Sequence, residues 1–141
     1  MSSFSADLKK FAEATKRNLN DTVRGVVLEL GTRIVQRSPV DTGKFRGNWQ
    51  LTVGGPDIRT NEPFDKQALG SSPSAGTFDR WKGEIGAATI GSTFYITNSL
   101  PYARRLEYEG WSQQAPAGMV RVTVAEYGQI INQVIAKAEK K

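Results

Sequence analysis

Between Leu8 and Val35 the chain places Leu8, Phe11, Ala12, Leu19, Val23, Val26, Val27, Leu30, Ile34 and Val35 at steps of three and four. That spacing lines one face of an α-helix. No other feature constrains the fold as strongly, because a stripe of this length must be covered along its whole side by other elements. Ser5 is placed to cap the helix start, with Asp7 in the first turn, and Arg33 and Arg37 complement the dipole at the far end. Pro39 disfavours helical geometry at Ser38, so the predicted helix spans 8–37.

The residues from the proline onward read as a turn. In Pro39-Val40-Asp41-Thr42-Gly43, Asp41 can bond the backbone ahead of it and Gly43 is free to take positive φ. Asn48, Gln50 and Thr52 then alternate with Trp49, Leu51 and Val53, which predicts a half-buried strand over 46–54 with Trp49 in the core. Residues 56–77 have three prolines, few apolar residues and no period, and are expected to form a long polar loop or arm. Phe78, Trp81 and Ile85 return to helical spacing, and Gly91 turns the chain into a second strand over 93–98. Pro101 suits the first turn of a short helix over 101–108. A C-terminal helix is expected over 117–138, although "MVRVTV" near its start is locally β-prone. The pattern predicts an α+β fold in one domain, 1–141: a small antiparallel sheet packed by the long N-terminal helix and the C-terminal helix, with the 56–77 arm outside. A sheet so small has both edges near its centre, and each is a docking line unless blocked.

Composition narrows the chemistry. The chain has 141 residues, enough for a proper core. Its 38% hydrophobic content falls below the usual range of about 45–50%, which fits a polar insertion or surfaces covered on assembly. There is no Cys and no His, so thiolate nucleophiles, Cys-type zinc sites and the commonest general base are missing. No catalytic, cofactor-binding or metal-ligating set is expected, and the chain is read as a non-enzyme. No apolar run approaches a signal sequence or a membrane span, so no membrane partner is expected and the chain should remain in the cytoplasm where it is made. The net charge of +5 gives weak attraction to polyanions.

The segment "YARRLEYEGW", residues 102–111, concentrates three aromatics and four charges. One reading is structural: Tyr102 and Leu106 pack on the sheet while the charges meet water. A second is a nucleic-acid surface, extended by Lys9, Lys10, Lys16, Arg17 and Arg24 of the first helix, though Asp7, Glu13, Asp21 and Glu29 interrupt that set. The third is a protein contact, with Tyr102, Arg104, Arg105, Tyr108 and Trp111 as interface residues, since Tyr, Trp and Arg most often anchor interfaces. Trp111 stands equally well as such an anchor or as a lid on the core.

Two stretches, "SPVDTGKFRGNW" at 38–49 and "YITNSLPYARRLEYEGWSQQAPAGMVRVTV" at 95–124, together resemble the small tail-completion and neck proteins that join head to tail in long-tailed bacteriophages and prophages. In that pattern a Gly tends to follow the Tyr directly, whereas here Glu109 intervenes before Gly110. The resemblance implies a structural virion component, made in the host bacterial cytoplasm and placed in the virion tail or neck. It also implies as partners the protein itself, as a hexameric ring, the tail tube or terminator proteins, the head connector, and genomic DNA passing through the lumen. A small basic nucleic-acid-binding module is the alternative.

Overall fold

A computed structural model describes residues 19–60, 65–86 and 91–139. Residues 8–18 of the predicted first helix, with Ser5 and Asp7, lie outside them. Helix α1, Leu19–Arg37, ends as Pro39 requires: the Ser38 amide bonds to the Val35 carbonyl at 3.0 Å and its hydroxyl to the Ile34 carbonyl at 2.8 Å.

The apolar stripe of α1 serves two partners. Val23, Val27, Ile34 and Val35 join the main core with Phe45, Trp49, Leu51, Trp81, Ile85, Leu100, Leu106, Ala115 and Met119. Val26 turns to the other side, where it forms a smaller cluster with Ile130 and Ile131. Full burial of each such aliphatic side chain stabilises by about 1.5–3 kcal/mol.

Two short strands form the sheet. β1, Gln50–Val53, pairs antiparallel with β2, Phe94–Thr97, in the register Gln50 to Thr97, Leu51 to Ile96, Thr52 to Tyr95 and Val53 to Phe94. The fold is α+β, with two strands and six helices among the described residues. Helix α3, Ala75–Gly86, covers β1 through Trp81, whose indole N–H donates to the Trp49 carbonyl at 3.2 Å. Gly31 of α1 admits the same indole: a Cβ there would lie 2.9 Å from Trp81 Cζ3.

Three boundaries differ from the sequence expectations. The strand predicted over 46–54 is shorter, because helix α2, Lys44–Gly47, comes first. Asn48 closes that turn, its amide donating to the Lys44 carbonyl at 2.7 Å, and the strand begins only at Gln50, with Gln50 and Leu51 both buried in place of the expected alternation. The arm predicted over 56–77 is not free throughout. α3 already begins at Ala75, and Asp65 is 1% exposed; residues 61–64 lie outside the described set, and Pro56–Thr60 is an exposed irregular segment.

The helix predicted over 117–138 is two helices, α5 (Val120–Ala125) and α6 (Tyr127–Glu139), parted at Glu126. Glu126 is held there by α1: Arg33 Nη1 donates to Oε1 at 2.7 Å and Arg37 Nη2 to Oε2 at 2.5 Å. Arg37 first, then Arg33, keeps this carboxyl below its usual range. The expected short helix appears as α4, Ala103–Tyr108.

A groove built from the two distant motifs

The Asp41-Thr42-Gly43 turn owes its shape to Gly43 and Thr42. Gly43 has φ +89°, and a Cβ on it would lie 2.5 Å from the Lys66 amide nitrogen, so only glycine fits against the passing 65–66 backbone. The Lys44 N–H donates to Thr42 Oγ1 at 3.2 Å. The side chain bonding ahead is therefore that of Thr42, in place of the Asp41 expected from sequence; Asp41 is exposed.

Behind the turn lies an ion pair that sequence reasoning missed. Arg46 and Asp65 side chains are 0% and 1% exposed, with Arg46 Nη2 to Asp65 Oδ1 at 3.2 Å. Arg46 also donates to the carbonyls of Ser71 at 2.8 Å, Ser72 at 2.9 Å and Asp65 at 3.2 Å. Asp65 Oδ2 accepts from the Ser74 amide and the Thr77 hydroxyl, both at 2.8 Å. Burial opposes the charge on Asp65, but Ser74, Thr77 and Arg46 outweigh it and hold the carboxyl below its ordinary value. The pair pins the 65–74 loop onto α2 and the start of α3. No local pattern marks Asp65 as buried; an Arg between Phe45 and Gly47 in a stretch of core residues is the one sequence signal.

Helix α4 presents the second motif. Leu106 is buried and Tyr102 half-buried, and Tyr102 packs on Phe45 with ring centroids 6.0 Å apart, as Phe45 does edge-on to Trp49 at 5.6 Å. Trp49 is in the core, its indole N–H donating to Ser38 Oγ at 2.8 Å. Glu107 departs from the expectation that the charges of α4 meet water. It is 7% exposed and accepts from the amides of Met119 at 2.9 Å, Val120 at 2.8 Å and Arg121 at 3.0 Å, capping α5. Arg121 also donates through Nε to Glu107 Oε2 at 3.2 Å and through Nη2 to the Glu107 carbonyl. Gly118, at φ +87°, makes the approach possible: a Cβ there would sit 2.6 Å from the Glu107 carbonyl oxygen.

Beyond α4 the chain exposes its aromatics. Tyr108 is 59% and Trp111 58% exposed. Arg104 and Arg121 both stack on the Tyr108 ring, at 5.4 and 5.0 Å, and Arg105 stacks on Trp111 at 5.0 Å. Among the described residues neither Arg104 nor Arg105 pairs with a carboxylate.

The two motifs meet. An open groove of about 380 Å³ runs between the 39–45 turn and α4, with Phe45, Tyr102, Leu106 and Trp111 as its apolar lining and Asp41 and Lys44 beside them. Burial first, then the Asp41 carboxylate, raises the Tyr102 phenol above its ordinary value. Gln114 clamps the far wall, its carbonyl accepting the Val40 N–H at 2.8 Å and its amide donating to the Val40 carbonyl at 3.2 Å. Thus Pro39, Asp41, Thr42, Gly43, Tyr102 and Trp111 share one site, while Arg104, Arg105 and Tyr108 form the adjoining surface.

This groove has an apolar lining with charged edges and can bury a side chain from another molecule. Among the described residues no group of carboxylates is arranged to hold a metal ion, and no helix is long and apolar enough to cross a membrane. Comparison with protein-family models, with curated proteins and with solved structures finds no match to this chain.

Proposed function

We propose that this protein is a non-enzymatic structural subunit of a bacteriophage tail, acting at the head-proximal end in tail completion or head-tail joining. The observation that carries the reading is the groove. The two stretches that resemble tail-completion and neck proteins, separated by some 45 residues of chain, converge on a single apolar recess with Trp111 exposed at its edge. Exposed aromatics beside a recess favour a protein partner. In this reading copies of the chain associate head to tail into a hexameric ring that meets the tail tube or terminator on one side and the head connector on the other. Work then consists of burying complementary surfaces, and no bond is made or broken.

Light scattering coupled to size exclusion tests the reading, on the protein alone across concentration and after mixing with tail and connector proteins. A discrete ring-sized species, or a defined complex with those proteins, is expected. A chain that stays monomeric at every concentration and binds none of them would sink it.

A second reading, a small basic nucleic-acid-binding module, draws support from Arg104 and Arg105, which stack on aromatics and lack carboxylate partners among the described residues. It predicts co-purifying nucleic acid that high salt removes.

A further inference from the structure

We propose that the groove is filled by Ile58 of a second copy of this chain, seated between Phe45, Tyr102, Leu106 and Trp111. The contact rests on the assembly of copies into a ring and supplies its joint.

Ile58 is the most exposed large apolar side chain among the described residues, at 73%. It lies in the exposed Pro56–Thr60 segment, and its neighbours hold it there. Arg59 donates from its amide and Nε to Asp57 Oδ1, both at 2.9 Å, and from Nη2 to Oδ2 at 2.6 Å. This local clamp fixes the backbone on either side of Ile58 before any partner arrives, which reduces the entropy lost on docking. Since Ile58 is solvated, it does not occupy the groove of its own chain.

Charge selects a second copy as the occupant. Ile58 is followed by the base Arg59, and the groove is edged by the acid Asp41. Asp41 and Lys44 are exposed and form no ion pair among the described residues. The Arg59 side chain is 80% exposed despite its bond to Asp57, so it can take a second carboxylate. Seating Ile58 places the exposed Arg59 guanidinium toward Asp41, with an apolar contact at the centre and opposite charges at the edge; Asp57, its side chain 14% exposed and both its oxygens held by Arg59, stays within its own chain. The groove, at about 380 Å³, is large enough to take the flanking backbone with the side chain. Because knob and groove are different parts of one surface, the contact is heterologous, and every copy offers both halves; that is the geometry that closes into rings.

Cross-linking tests the contact. The chain has no cysteine, so an Ile58→Cys variant mixed with a Lys44→Cys variant and a short bis-maleimide should give a covalent dimer in the mixture, with neither variant doing so alone. In light scattering, Ile58→Asp should weaken self-association at least about tenfold with an unchanged melting temperature. Asp41→Lys and Arg59→Asp should each weaken it about two- to fivefold, and the two together should restore it. If the wild type assembles while Ile58→Asp assembles equally tightly and the mixture does not cross-link, the proposal is overturned and the ring reading survives. If the wild type does not assemble and the mixture of the two cysteine variants does not cross-link, both fall.

Discussion

Arg46, Asp65 and Glu107 are the charged side chains buried among the described residues. Arg46 is 0% exposed and donates to the carbonyls of Val35, Ser71 and Ser72 as well as to Asp65. Truncating it leaves a buried carboxylate and several carbonyls unpaired, so Arg46→Ala should cost about 3–5 kcal/mol in urea unfolding. Arg46→Lys should recover little of this, because one ammonium cannot reproduce the guanidinium fork. For Glu107, burial raises the pKa, but the Arg121, Val120 and Met119 amides and the Arg121 side chain more than offset it, and the carboxyl titrates below its usual 4.5. Asp65 and Glu126 are lowered as well. A carboxyl with a depressed folded pKa contributes stability that is complete above its unfolded pKa and lost as pH falls through the folded one. The melting temperature should therefore be level from about pH 6 to pH 5.5 and decline progressively below about pH 4.5. Glu107→Gln should start lower and decline less steeply; an equally steep acid decline in this variant would remove Glu107 from the account.

Helix α5 shows how one residue decides an element. Val120, Val122, Thr123 and Val124 favour a strand by propensity, yet the segment is helical because Glu107 takes up its first free amides and Gly118 lets the two meet. Gly118→Ala should thus cost more than a positive-φ penalty of about 1–2 kcal/mol, since its Cβ would push Glu107 off the cap; loss of helical circular dichroism with the stability would register both. The sequence carried the long elements well. The described part of α1, helix α3 and α4 fall where periodicity and Pro101 place them, since each is decided by neighbours three or four positions away, and β2 lies within the 93–98 stretch read as a strand. Where tertiary contacts decide, the sequence pattern misled. The strand predicted over 46–54 overran into α2, whose turn is closed by Asn48, and helical spacing ran across Glu126, whose break depends on Arg33 and Arg37 some ninety residues earlier. The groove was legible only in part. Its two halves stood out as motifs, but that Gln114 would tie them together through Val40 has no local signature.

At the scale of the whole molecule the groove and the arginine-aromatic surface beside it make opposite demands on solvent. Trp111 is 58% exposed, so Trp111→Ala should change unfolding free energy by less than about 0.5–1 kcal/mol while weakening association, because it removes one wall of the recess. Salt separates the two surfaces. Assembly through an apolar recess with one flanking ion pair should change little between about 50 and 500 mM sodium chloride, where an exposed pair is already partly screened. Sodium sulfate should strengthen it, since excluded salts favour burial. Binding to DNA through Arg104, Arg105 and Arg121 would instead release counterions, and its affinity would fall steeply over the same range, with a logarithmic slope near −0.9 for each phosphate neutralised. Sedimentation of the wild type across both salts, with and without duplex DNA, reads these slopes directly. A flat chloride response with tightening in sulfate places the function in contacts between protein surfaces, whereas association that appears only with DNA and collapses in chloride assigns it to the arginines.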